Sequence, residues 1–398
     1  MDNFKDNIAD KIVKYPWLKF EVNLTGLNYS TWIQLGECFS KCEHISRIPL
    51  RPSTASEMHK VYLAKGVNAT TAIEGNTLSE EQVRQIIDKK LELPPSREYL
   101  KQEVDNILFL CNELKNQICT GKNFLITKGE IKHFNKIILK GVPLPDYAVP
   151  GEFRDVPVGA GAYKAVDPQD VDGLMNAMCS WLNSDYFKIP NAPLIVSSII
   201  KAIVAHLYLE WVHPFGDGNG RVGRLLEFAI LISSGVPSPA AHLLSNHYNQ
   251  TRNEYYRQLN VATQKKDVCD FIVYAVQGFR DGLIEQLQYI FKQVLETSWE
   301  NYVYEKFKEH KRSEKSTKRM RTLVLDLSRK SEPVPKESLV TLSPKVIDYY
   351  KQGSAKMLSR DINELIRLDL IEHTDKGYSA KMGKMLTFLP ARVAKESQ

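Results

Sequence analysis

The sequence predicts a mainly α protein: a helical bundle carrying one β-hairpin, followed by a small domain of helices and a second short hairpin. Three observations carry that expectation. Apolar residues recur at helical spacing, as in Val104, Ile107, Leu108, Leu110, Cys111 and Leu114, or Met357, Leu358, Ile362, Leu365 and Ile366. Thr54/Glu57 and Thr77/Glu80 have the spacing of capping boxes. Clear alternation around a glycine turn runs from Gly151 to Val166, with Gly159-Ala-Gly161 at its tip.

A chain of 398 residues, 43% hydrophobic and 25% charged, has the composition of a soluble globular protein with two or three domains. Its six cysteines form no C-x-x-C pair, which fits small core thiols in a reducing cytosol, so a cytoplasmic protein is expected. The first residues lack an apolar stretch, so no signal peptide is expected. The longest apolar run, Pro193 to Val212, is interrupted by Lys201, His206 and Glu210, so it reads as a buried core helix and no membrane partner is expected. Net charge is +6, but residues 301–398 hold 21 Lys and Arg against 13 Asp and Glu. The basic character therefore lies in the C-terminal quarter and points to an acidic partner such as nucleic acid there.

Residues 1–125 read as an N-terminal helical segment. Within it, a helix covers Ser30 to Ser46, and another opens at Thr54 and stops at Gly75-Asn76. Helices follow at Glu81–Leu91, Glu98–Ile118 and Thr127–Leu139, until Pro143, Pro145 and Pro150 break the pattern. The core domain spans 126–300 and includes the hairpin 151–166. Its later helices are Pro168–Leu182, Pro193–Val212, Leu225–Ser234, Ser245–Val261, Asp267–Phe279 and Leu283–Trp299. Residues 301–321 read as a charged linker, and 322–390 as the C-terminal domain, in which Asp375-Lys-Gly377 separates two extended pieces. His206, one heptad before His213, reads as a core histidine with a hydrogen-bond partner.

The chemistry is concentrated in His213-Pro-Phe-Gly-Asp-Gly-Asn-Gly-Arg-Val-Gly-Arg224, set between two apolar helices. Its glycines let the backbone approach a ligand, and its amides run into a helix N-terminus, which favours an anion. Around that cradle stand an imidazole (His213), a carboxylate (Asp217), an amide (Asn219) and two guanidiniums (Arg221, Arg224). Such a set suits a polyphosphate bound with a metal.

That stretch resembles the complete signature of the Fic domain, His-Pro-Phe-x-Asp-Gly-Asn-Gly-Arg-x-x-Arg. The resemblance implies a Fic-type helical bundle that transfers AMP from ATP to a Ser, Thr or Tyr hydroxyl of a target protein, with the chain itself as one candidate target. It further implies His213 as the catalytic base and Asp217 as the Mg²⁺ ligand. Gly218, Asn219, Gly220, Arg221, Val222, Gly223 and Arg224 would line the nucleotide phosphates, and Tyr255 the adenine. Thr70-x-x-x-Glu74-Gly75 resembles the inhibitory motif of Fic proteins whose inhibitory helix, here 54–76, precedes the core. Glu74 would then pair with Arg224 and hold ATP in an unproductive pose. The hairpin resembles the family's flap, so Phe153, Val156 and Val158 would present the target by strand pairing. Residues 322–390 resemble a winged helix-turn-helix, whose Lys356, Arg360 and Arg367 would face DNA phosphates. The reading leaves open removal of AMP from proteins, a homodimer, another nucleotide donor, and a transcription regulator that only senses nucleotide.

Overall fold

The computed structural model describes residues 13–121, 124–160, 163–308, 313–351, 353 and 355–386, and the chain divides into two compact units, Met1–Leu287 and Gln288–Gln398. In the first, helices α1 (Tyr29–Arg47), α2 (Pro52–Ile73), α3 (Glu80–Ile87), α4 (Glu98–Cys119) and α5 (Lys128–Ile138) precede the hairpin β1–β2 (Gly159–Ala160, Tyr163–Lys164). Then come α6 (Pro168–Asn183), α7 (Leu194–Val212), α8 (Asn219–Ser233), α9 (Leu243–Gln250), α10 (Arg252–Lys265) and the first part of α11 (Cys269–Lys308), whose residues from Gln288 on belong to the second unit.

Helix α7 is the axis of this unit. Sixteen of its nineteen residues are buried, as a helix that is apolar all round requires. Among the described residues it alone is long and apolar enough to cross a membrane, and its neighbours enclose it instead. It packs along α8, and the loop between them, 213–218, is thereby held at the centre of the bundle.

Several local expectations give way to identifiable contacts. Helix α2 starts on Pro52, with Arg51 as an N-cap whose side chain makes no capping bond, so Thr54 is not the cap. The capping box of α3 is Ser79/Gln82 rather than Thr77/Glu80. It falls two residues later because Asn76 is buried, donating to the Leu100 carbonyl and to Glu103. Helix α11 is continuous where a break near Gly282 was expected. A Cβ at Gly278 would lie 2.1 Å from His247, and one at Gly282 would lie 2.8 Å from Leu243, so these glycines admit a close neighbour. The break instead falls at Thr251, whose hydroxyl reaches the His247 carbonyl and Tyr274.

The hairpin is shorter than the alternation 151–166 predicts. Among the described residues only Gly159↔Lys164 and Ala160↔Tyr163 pair as strands, with the Ala165 amide also donating to the Val158 carbonyl, so Phe153, Val156 and Val158 lie outside the strands. The cause is Arg154, which is buried and donates to the carbonyls of Val156, Val166, Val212 and His213, curling the segment onto the α7–α8 loop. Phe153 packs on Phe215 instead of offering a strand edge.

In the second unit, α12 (Glu314–Leu327), α13 (Pro344–Tyr350) and α14 (Ala355–Arg367) precede the hairpin β3–β4 (Ile371–Thr374, Gly377–Ala380), which Val334 joins through a bridge to Tyr378. Residues 301–308 are helical rather than a solvated linker, because Val303 and Phe307 are buried in this unit's core with Leu323, Val324 and Leu365. A buried carboxylate, Asp361, is matched by Arg319 and by the Tyr350 hydroxyl. On α14, Arg367 is tied to Glu364, while Arg360 turns back to the Lys356 carbonyl.

Candidate active site

The last residue of α7 is followed by His213 in a left-handed conformation (φ 50°, ψ 61°), which a non-glycine residue adopts at a cost of about 1–3 kcal/mol. Two hydrogen bonds fix it there: its amide donates to the Leu209 carbonyl (2.8 Å), and its own carbonyl accepts from Arg154 Nε (2.7 Å). The chain then turns, reaches Gly218 at φ 81°, and enters α8 at Asn219. The Asn219 side chain does not point to a ligand. It accepts from the Phe215 amide and donates to the Phe215 carbonyl, both at 2.9 Å, and so closes the loop on itself. The buried Asn135 adds a strut, donating to the Asp217 carbonyl and accepting from the Gly151 amide.

These constraints aim the first amides of α8, which have no intrahelical acceptor, into a cleft of about 670 Å³. Its lining includes Glu74, Glu210, His213, Asp217, Gly218, Asn219, Gly220 and Arg224, together with Trp211, Tyr255, Tyr256, Leu259, Asn260 and Thr263.

The charged groups divide the work unequally. Arg224 is fully buried and donates to Glu74 Oε1 at 2.6 Å and to the Thr70 carbonyl at 3.0 Å. Arg221 does not line the cleft; it donates to Asp217 Oδ1 at 3.1 Å and lies 3.6 Å from Glu103. Val222 is core, and a Cβ at Gly223 would lie 2.4 Å from His206 Nδ1, so these two positions serve packing. Gly220 matters differently: a Cβ there would meet Glu74 Oε1 at 2.4 Å. Tyr255 is 2% exposed, bonded to His206 Nε2 (2.8 Å) and stacked on Tyr248, whereas Tyr256 is 47% exposed on the cleft rim. His206 thus has the partner expected of a core histidine. Thr263 accepts from Trp211 Nε1.

Glu74 is held by the backbone. It is the C-cap of α2, with Gly75 N–H bonded to the Ala72 carbonyl and Asn76 N–H to the Thr71 carbonyl, a paired C-terminal cap with Gly75 at φ 100°. The Ile73 carbonyl beside it accepts from Arg252 and from the Tyr256 hydroxyl. Burial works against the Glu74 carboxylate, yet Arg224 outweighs it and holds the group below the usual range. Burial pushes His213 down to about 4, against the pull of the facing Glu210 carbonyl. Glu210 itself is pushed up to about 7 by burial and then by the charge of Glu74, with Arg224 opposing.

Sequence reading placed His213, Asp217, Gly218, Gly220, Arg224 and Glu74 in what the structure makes a single cleft. It missed Arg154, Asn135 and Glu210. Only Glu210 left a signal, as a charge one helical turn before His213 in an otherwise apolar helix.

Fold and cleft together define a helical domain built around an anion-receptive loop. Residues 125–231 match the Fic/DOC family. Protein adenylyltransferase Fic of Aedes aegypti is 32% identical over 205 residues, covering 51% of this chain and 37% of that protein. Protein adenylyltransferase fic-1 of Caenorhabditis elegans is 30% identical over 208 residues, covering 52% and 38%. The chain therefore spans well under half the length of these curated relatives. A Fic family protein from Desulfovibrio desulfuricans superposes with a TM-score of 0.51 at 20% identity, covering 94% of this chain and 98% of that one. Fic-1 from C. elegans superposes with a TM-score of 0.54 at 24% identity, covering 66% and 73%. These superpositions establish the fold alone, and the family match is confined to residues 125–231.

Proposed function

We propose that the chain is a protein adenylyltransferase, moving AMP from ATP to a Ser, Thr or Tyr hydroxyl of a target protein. The observation that carries this reading is the convergence, in one cleft, of His213, Asp217, the α8 N-terminus and Arg224 with the aromatic and apolar residues Trp211, Tyr255, Tyr256 and Leu259. The relatives' names support it. Phosphates would sit on the α8 amides, and the base against Tyr256 and Leu259. Nδ1 of His213 is buried, so Nε2 is the nitrogen the cleft can reach. It would take the hydroxyl proton as the oxygen bonds to the α-phosphorus and the bond to the departing pyrophosphate breaks.

The donor set suits Mg²⁺ arriving with the nucleotide. Asp217 is one carboxylate lining the cleft, its Oδ1 anchored by the Gly218 amide and Arg221, and no cluster of three acidic, His or Cys ligands occurs among the described residues. A hard ion bound by one carboxylate and phosphate oxygens needs no more. When bound it would neutralise phosphate charge.

The Glu74–Arg224 pair supports autoinhibition, since the guanidinium is engaged before a phosphate arrives. The test is labelling with ATP carrying label at the α- or the γ-phosphate, using the chain alone and a lysate as acceptors. Label on protein from the α position only is expected. Label from the γ position only, or from neither, overturns the reading.

A further inference from the structure

We propose that Glu210 is a positioning residue for His213: its carboxylate fixes the ring tautomer and serves as counter-charge once the ring carries the proton. This rests on the adenylyl-transfer reading and deepens it.

His213 Nδ1 is buried without a hydrogen-bond partner, and so is Glu210 Oε1. The other Glu210 oxygen, Oε2, lies 3.8 Å from Nδ1, the two residues being one turn apart, and the Glu210 carbonyl also acts on the ring. A buried carboxylate oxygen with no partner is costly and calls for an explanation.

The chemistry gives the pair a purpose. For Nε2 to accept the proton of the target hydroxyl, Nδ1 must carry hydrogen, and a hydrogen aimed at Glu210 selects that tautomer. As the new oxygen–phosphorus bond forms and pyrophosphate leaves, the proton moves to Nε2 and the ring becomes a cation in a buried site. Glu210 is the acidic side chain one turn from it. A 3.8 Å separation shortens readily once the ring is charged, as catalytic contacts in unliganded enzymes do.

Other charged groups face Glu210 from the elements around it. Glu74 on the inhibitory turn disfavours its ionisation, while Arg224 on α8 favours it. Tyr163 on β2 and Tyr255 on α10 are also within electrostatic reach. Glu227, further along α8, is also within electrostatic reach, with burial opposing its own ionisation. Withdrawal of Glu74 therefore does two things: it frees Arg224 and lets Glu210 ionise beside His213.

The experiment uses the full chain with Glu74→Gly as parent, and adds Glu210→Gln and Glu210→Asp. Transfer from α-labelled ATP is followed across pH, and the His213 ring is titrated by NMR. Glu210→Gln is expected to lower kcat by roughly 10- to 100-fold, to move KM for ATP by less than about threefold, and to lower the pH at which His213 titrates. Glu210→Asp should restore part of the rate. An unchanged kcat with an unchanged His213 titration overturns the proposal. If the parent transfers no label, the adenylyltransferase reading fails, and the His213 titration still decides whether Glu210 acts on the ring.

Discussion

Glu74→Gly should accelerate adenylyl transfer, and the structure sets the size of the effect. What is removed is one charge-assisted hydrogen bond of 2.6 Å between a buried guanidinium and a carboxylate whose side chain is 33% exposed. Bonds of this kind contribute about 1.5–3 kcal/mol, the upper end applying to fully desolvated partners. At about 1.4 kcal/mol per factor of ten, freeing Arg224 for phosphate is worth roughly 10- to 100-fold in rate. The partial exposure of Glu74 places the expectation toward the lower end. The same change leaves Arg224 with only the Thr70 carbonyl, so the protein without nucleotide should lose about 1–3 kcal/mol of stability. That is a fall of roughly 2–4 °C in Tm per kcal/mol for a unit of this size. Saturating ATP should restore more stability to the variant than it adds to the wild type, because the phosphates replace the lost anion. Labelling with α-labelled ATP reads the rate, and thermal unfolding with and without ATP reads the rest. A variant with wild-type rate and wild-type Tm in both conditions would falsify the latch.

Three other outcomes follow from the same geometry. His213→Ala should abolish transfer from α-labelled ATP while leaving the far-ultraviolet circular dichroism spectrum unchanged, and retained transfer refutes its role as base. Arg154→Met removes the donor shared by the carbonyls of Val156, Val166, Val212 and His213, so unfolding in urea should show a loss of about 2–4 kcal/mol together with lost activity; a stable, active variant contradicts the role assigned to Arg154. Acid should destabilise the first unit: burial lowers His213 to about 4 and both His206 and His242 to about 3, so the unfolded chain binds protons below pH 6.5 that the folded chain refuses. Glu210, raised to about 7, and Glu227, also raised by burial, work in the opposite sense, but His59 and His247 are lowered by burial like the other three histidines, and Tm should fall from pH 6.5 to 4; a flat profile refutes this.

The loop from His213 to Arg224 and the turn at Glu74 were legible because their chemistry is carried by contiguous residues whose spacing encodes a helix end. Arg154 was not legible, because its role is defined by carbonyls up to 59 residues away, and carbonyls have no sequence. The same holds for Asn135, which joins positions 151 and 217. The break expected between Phe279 and Leu283 does not occur, and Gly282 there admits Leu243, a neighbour that the sequence does not place. Asn219 lines the cleft as its place in the motif suggested, but the bonds that its side chain makes to Phe215 were not legible, because their partners are backbone groups.

Gly220 ties these strands together. It stands in the first turn of α8, where an anion is favoured, and its missing Cβ leaves the space that Glu74 Oε1 enters. Without nucleotide, the Glu74 carboxylate therefore sits beside both a helix N-terminus and a buried arginine, in surroundings suited to a phosphate oxygen. On the adenylyltransferase reading, Glu74 is a tethered anion competing for one electrostatic site. Such competition needs no rearrangement of the bundle, only withdrawal of the turn at residues 74–76 from Arg224. That turn is pinned by Asn76 to α4, and by Arg252 and Tyr256 to α10. Whatever loosens those contacts would raise activity without touching a residue of the signature loop.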